Sequence, residues 1–260
     1  MTTLEKVIRS CVAAGGKAFV PYIMAGDGGL DVLNDRLLFL QGIGVTAIEI
    51  GIPFSDPVAD GEVIQQAGER ALANGTTLRK VLDVLADRPV EVTVPLVLMT
   101  YLNPILAYGV ADFVERCTEI GVRGLIIPDL PMEESGMLRS ELKDCDIALI
   151  PLVSLTSPKT RVAEIVSHAQ GFVYAVTVNG ITGVRNSYGE TLMEHLRRLR
   201  EWSPVPVLAG FGISKPAQVL KLGAETDGVI VGSAIVDAFH RGDLKFIEEL
   251  AGCDELKVIQ

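Results

Sequence analysis

Histidine, cysteine, tryptophan and basic residues are scarce in this chain, and each scarcity removes a class of chemistry. The three histidines, His168, His195 and His240, fall in helical patterns away from strand ends, and His195 sits among Glu194, Arg197, Arg198 and Arg200 as part of a solvated face. With no metal-ligand spacing and no G-x-S-x-G turn, zinc catalysis and a serine nucleophile are set aside. The four cysteines, Cys11, Cys117, Cys145 and Cys253, form no C-x-x-C pair, which argues against a metal site or a disulfide framework. They read as reduced thiols of a cytoplasmic protein. Lys and Arg number 23 against 33 Asp and Glu, a net charge of −10 with a pI near 4.9, so an electrostatic footprint for nucleic acid or an anionic membrane is missing. No stretch reaches the roughly 18 apolar residues of a membrane span. The N-terminus carries Leu4, Val7, Ile8 and Cys11 at helical spacing among charges, an amphipathic helix without the apolar core of a signal peptide.

What the chain has is alternation. Eight short apolar, β-rich runs recur, at 18–21, 46–50, 95–99, 124–127, 147–151, 172–176, 205–209 and 228–231. Amphipathic helical patterns separate them, for example Leu30, Leu33, Leu37 and Leu38, or Val110, Phe113, Val114 and Cys117. Runs apolar on both faces suit parallel strands covered by helices, and eight βα units in this length predict a closed (β/α)8 TIM barrel. The expectation is one α/β domain over residues 1–260 with an N-terminal helix; an open doubly wound sheet is the alternative. The intervals after the second and sixth runs are longer than the others, which predicts long catalytic loops there.

The most informative segment runs from Glu49 to Gly61. On a strand, Ala47, Glu49 and Gly51 share one face, which sets a carboxylate among small neighbours at the strand end. Pro53, Ser55, Asp56 and Pro57 then impose a loop, and Asp60-Gly61 opens a helical pattern through Val63, Ile64 and Ala67. A desolvated Glu49 and a wetter Asp60 would titrate apart, giving one acid/base catalyst and one charged orienting group. A salt bridge for Glu49 and a helix N-cap for Asp60 are the structural alternatives. Asp129, in Pro128-Asp129-Leu130-Pro131, precedes a helix expected over 133–143, and capping and substrate contact are equally open.

Three glycine turns follow the last three strands, at 179–183, 209–214 and 231–234; together they resemble a phosphate cradle of backbone N–H groups and the positive end of a helix starting at Gly232 or Ser233, with ordinary βα turn glycines as the alternative. Tyr22, Tyr101, Tyr174 and Phe211 lie near strand ends, where they either wall an apolar ligand or pack the core.

Together, Phe19-Val20-Pro21-Tyr22, the 49–61 segment, Met99-Thr100-Tyr101-Leu102-Asn103-Pro104, 124–131 and the glycine turns resemble the α subunit family of tryptophan synthase from end to end. The resemblance implies retro-aldol cleavage of indole-3-glycerol phosphate to indole and glyceraldehyde 3-phosphate, without a cofactor in this chain. It implies an α2β2 assembly with a β subunit that carries pyridoxal phosphate. Glu49 would shuttle the proton and Asp60 would hold the indole N–H. Tyr174 would lie near Glu49, Thr182 on a closing loop that meets Asp60, Gly183, Gly212, Gly232 and Ser233 around the phosphate, and Tyr22, Tyr101 and Phe211 around the indole. Pro53, Phe54, Asp56, Pro57, Asn103 and Pro131 would face the partner. Glu62 and Thr177-Val178-Asn179 depart from the family pattern near the site. A stand-alone lyase and an α-like subunit that mainly activates β are the alternatives.

Overall fold

The computed structural model describes residues 1–154, 156–177, 190–210 and 212–252. Its strands are β1 (Ala18–Met24), β2 (Ile48–Gly51), β3 (Leu96–Met99), β4 (Val122–Ile126), β5 (Ala148–Leu149), β6 (Leu152–Ser154), β7 (Val173–Val176), β8 (Val207–Gly210) and β9 (Gly228–Val231). Every pairing between them is parallel, in the order β5-β4-β3-β2-β1-β9-β8-β7-β6. The two ends of that row, β5 and β6, are one stretch of chain. Ile150 N–H donates to the Leu125 carbonyl on one side and Tyr174 N–H donates to the Pro151 carbonyl on the other. The stretch 148–154 therefore closes the sheet into a barrel as its fifth stave. Pro151 has no N–H to give, so the ladder is interrupted there and nine segments stand where eight were expected.

Alternation of side chains sorts the core into two layers. Ala18, Val20, Tyr22 and Met24 of β1 point into the barrel with Val97, Ile126, Tyr174, Leu208 and Ile230, while Phe19, Ile23, Ile48, Ile50 and Leu98 point out toward the helices. Leu4 and Ile8, from the helix Thr3–Ala13, belong to the inner layer. Leu4 closes the N-terminal end, with a Cδ methyl against Gly124 and Gly171. Thr2 caps this helix by accepting from the Glu5 N–H at 3.3 Å, and Thr3 is tied to Asp146.

The long interval after β2 is only partly a loop. It contains two helices, Glu62–Ala73 and Leu78–Ala86, the second capped by Thr77. A further helix, Leu102–Tyr108, starts directly after β3, and the helix expected over 133–143 is a 3-10 turn, Met132–Glu134, followed by Gly136–Glu141. The interval after the sixth run falls largely outside the described residues.

Leu4 fills the barrel floor, far from the loops at the strand C-termini. Leu4→Ala is expected to cost about 2–5 kcal/mol, the range for emptying a buried leucine site. Urea unfolding would measure that loss. The turnover of the folded fraction should stay as in the wild type.

Candidate active site

Because Tyr22 pairs in register with Glu49, and Glu49 with Val97, the second strand delivers its carboxylate into the inner layer. Glu49 is 1% exposed, and among the described residues neither carboxylate oxygen has a hydrogen-bond partner. Burial pushes its pKa from 4.5 to about 8, and the negative charge of Asp60 adds to the rise. Among the described residues no salt bridge satisfies Glu49, so a purely structural role is not supported. The group is a neutral acid at pH 7, poised to give up its proton when something polar arrives.

Two tyrosines flank it, each made possible by a glycine on the neighbouring strand. A methyl group on Gly51 would overlap the Tyr22 ring and hydroxyl, and one on Gly210 would overlap the Tyr174 ring. Both phenols are buried, and desolvation, followed by the charges of Glu49 and Asp60, holds them far above their ordinary pKa. They remain neutral hydroxyls facing two carboxylates.

Asp60 is half-buried in the loop between β2 and the helix Glu62–Ala73, and the N-cap of that helix is Gly61. Its side chain is therefore not spent on capping. Burial raises its pKa to about 6, while a hydrogen bond from the Tyr101 hydroxyl pulls the other way. The same hydroxyl accepts the Ala59 N–H at 3.0 Å, and the Tyr101 ring stacks on Phe54 at 5.1 Å and 28°. Tyr101 thus holds this loop at three points. The opening from strand to loop is set by Ile52 N–H, which donates to the Met99 carbonyl.

Gly232 is the N-cap of the nine-residue helix Ser233–Arg241, with Ser233 its first residue, as expected from the sequence. Gly212 has φ +73°, a left-handed conformation that strains any other residue. Thr182, Gly183 and Phe211 lie outside the described residues. Thr177, one of the departures from the family pattern, donates its hydroxyl to the Gly210 carbonyl at 2.7 Å and so joins the ends of β7 and β8. Glu62, the other departure, is the first residue of its helix, where a negative charge suits the dipole.

Asp129 resolves in a way that spacing could not predict. It is exposed and accepts the Leu102 N–H at 2.9 Å, so it caps the helix Leu102–Tyr108 rather than the one that follows it in sequence. Of the rim residues, Asp56, Asn103 and Pro131 are exposed, Pro57 and Phe54 are half-buried, and Pro53 is buried. Pro53 therefore stiffens the loop from inside instead of offering surface; Val58, 83% exposed, is the loop's open apolar group. A cavity of about 370 Å³ opens farther along the same rim beside Asp129, Arg139 and Arg161. Neither carboxylate of the site lines it. The three histidines are exposed, away from these groups.

A carboxyl whose pKa rises from 4.5 to about 8 binds a proton more tightly in the folded chain than in the unfolded one. Its contribution to stability is intact below pH 4.5, shrinks as pH rises and is lost above 8. Glu49→Gln, which carries no charge, should therefore match the wild type near pH 4.5 and exceed it at about pH 9 by roughly 3–5 kcal/mol, since each tenfold gain in proton affinity is worth about 1.4 kcal/mol. Urea unfolding of both proteins at the two pH values would measure this. A difference independent of pH would mean that Glu49 is not desolvated.

Comparison with known proteins agrees with this geometry. A sequence model described as tryptophan synthase alpha chain matches residues 8–257. Among similar curated proteins, the tryptophan synthase alpha chain of Listeria innocua is 55% identical over 226 residues, 87% of this chain and 87% of its own. That of Bacillus mycoides is 49% identical over 247 residues, 95% of each chain. Among solved structures, Mycobacterium tuberculosis tryptophan synthase superposes with a TM-score of 0.90 at 33% identity, covering 98% of this chain and 99% of that one. A structure of the tryptophan synthase α2β2 complex from Pyrococcus furiosus gives 0.84 at 36% identity, covering 91% and 99%. A match this long, carried by a parallel barrel with an acid buried at the end of its second strand, places the chain in one family: it belongs to the tryptophan synthase alpha chains.

Proposed function

We propose that Glu49 is the acid/base catalyst and Asp60 the partner of the indole nitrogen in the reaction of this family, the cleavage of indole-3-glycerol phosphate to indole and glyceraldehyde 3-phosphate. The observation that supports this most directly is the carboxyl of Glu49, buried, protonated and without a hydrogen-bond partner among the described residues. Cleaving the bond from the ring to the glycerol carbon requires C3 to become tetrahedral. Glu49 donates its proton to C3, and the positive charge that develops at the ring nitrogen is stabilised by ionised Asp60, which accepts the N–H. Glu49, now a carboxylate, takes the proton from the adjacent glycerol hydroxyl. The carbon–carbon bond breaks, its electron pair returns to the indole ring, and the hydroxyl carbon becomes the aldehyde of glyceraldehyde 3-phosphate. The carboxyl ends as it began. Tyr22, Tyr101 and Tyr174 wall the ring, and the Gly212 turn and the helix start at Gly232 and Ser233 take the phosphate through backbone N–H groups.

The same reading covers assembly: a cytoplasmic α2β2 complex in which the β subunit holds pyridoxal phosphate and consumes the indole. Val58, Asn103 and Pro131, exposed on the rim beside Asp60's loop, support a partner there.

Purified protein with substrate, alone and with β, tests the reading. Glu49→Gln should lose about 10²–10⁴-fold in cleavage while a glycerol phosphate analogue binds nearly as before. Residual activity above a tenth of wild type overturns the role. Because Asp60 must be ionised and Glu49 protonated, kcat/KM should rise with pH through about 6 and fall through about 8, as the macroscopic titration of a coupled pair. A flat profile over that range contradicts the division of labour. A substrate analogue should tighten association with β by the factor with which β tightens the analogue. No tightening and no rate change on adding β would leave a stand-alone lyase.

A further inference from the structure

The turn after β1 is built with unusual care for a connection that carries none of the groups named above. Gly26-Asp27-Gly28-Gly29 closes on itself, with Gly29 N–H donating to the Gly26 carbonyl at 3.0 Å and Gly26, Gly28 and Gly29 all at positive φ. It throws Asp27 inward, where it is 3% exposed. Arg70 meets it with two parallel bonds, Nε to Oδ1 at 2.6 Å and Nη2 to Oδ2 at 2.8 Å. A bidentate pair fixes direction as well as distance, and a buried carboxylate left alone is costly. The turn also grips the same helix end elsewhere: Gly26 lies directly on the Thr76 side chain, and Asn74 Nδ2 reaches the Gly26 carbonyl at 3.5 Å. On its other side the Arg36 guanidinium covers Gly28 and the Phe239 ring.

The helix so gripped is Glu62–Ala73, which begins directly after Asp60 and Gly61. Its first turn holds the loop: Gln65 Nε2 donates to the Asp60 carbonyl at 2.8 Å and Gln65 N–H to the Gly61 carbonyl at 2.9 Å. A helix is stiff along its axis, so a displacement at Arg70 is transmitted to Asp60. We propose that Asp27 is a positioning residue of the lyase reaction, acting through Arg70 and this helix to set the place of the Asp60 carboxylate. The proposal rests on the reading of Asp60 above.

The test is epistasis. Asp27→Asn keeps the shape of the side chain and removes its charge; it should lower kcat about 10–100-fold, the scale of a sub-ångström to one-ångström misplacement. Affinity for glycerol phosphate, which on the reading above is held by backbone N–H groups after β8 and β9 and not by Asp60, should stay within about twofold. In an Asp60→Asn background the same change should cause no further loss of kcat, because a positioning residue has nothing left to position. Arg70→Lys, which keeps the charge but not the fork, should show the same pattern and decides the matter if Asp27→Asn does not fold. An unchanged kcat in the single variants overturns the proposal. So does an equal loss in both backgrounds, a parallel loss of glycerol phosphate affinity, or failure of both variants to fold, each of which marks the pair as a structural staple. If Asp60→Asn alone is fully active, the reading of Asp60 fails instead.

Discussion

The structure turns on one constraint, the burial of the Glu49 carboxyl inside a closed parallel barrel. A barrel of this size is filled by its own side chains, and an ionised carboxylate placed among them without a partner would cost many kcal/mol. The group avoids that cost by holding its proton, and a carboxylic acid that stays neutral near pH 7 is what protonation of an indole carbon requires. Stability and chemistry pull in opposite directions here. Near neutral pH the fold would be more stable with an amide at position 49, and on the proposed mechanism the reaction would lose its acid/base.

The surroundings of Glu49 follow from strand geometry. Side chains of β2 alternate strictly, so Ala47, Glu49 and Gly51 must all face inward, and the barrel has room for the carboxyl because its neighbours on that face are small. Gly51 and Gly210 then admit the rings of Tyr22 and Tyr174 from adjacent strands. Each glycine is a missing side chain whose space an aromatic ring occupies, which sets two phenols beside two carboxylates. Their desolvation keeps the hydroxyls neutral, so they contribute dipoles and shape without adding charge to a site that already holds two acids.

The strands were legible because parallel strands covered on both faces read as unbroken apolar runs, and all eight expected runs coincide with barrel staves. Local chemistry limited the rest. Pro151 splits the fifth stave, since a run of apolar residues does not reveal where an N–H is needed. Part of the interval after β2 is the helix Leu78–Ala86, capped by Thr77, and the short helix Leu102–Tyr108 hides behind Pro104, which its first turn tolerates. The inward burial of Glu49 was readable because strand alternation within one contiguous segment sets it. Asp129 capping a helix 27 residues earlier, Tyr101 clamping Ala59, and Asp27 paired with Arg70 across 43 residues are products of the closed barrel. No local pattern encodes such partners.

The two carboxylates differ in how firmly they are placed, and this bears on where control can act. Glu49 sits on a strand hydrogen-bonded on both sides, so its burial, and with it its raised pKa, changes only if the barrel opens. Asp60 sits on a loop whose position is a balance of separate contacts: Tyr101 from the end of β3, Gln65 from the helix that follows, and through that helix the turn after β1. Moving any of these changes the solvation of Asp60 and its place at the barrel mouth. A signal arriving at the rim has little purchase on Glu49. It would act instead on the loop, through the exposed Val58 beside the pinned Ala59, and so on Asp60, which in the proposed mechanism stabilises the charge that protonation creates.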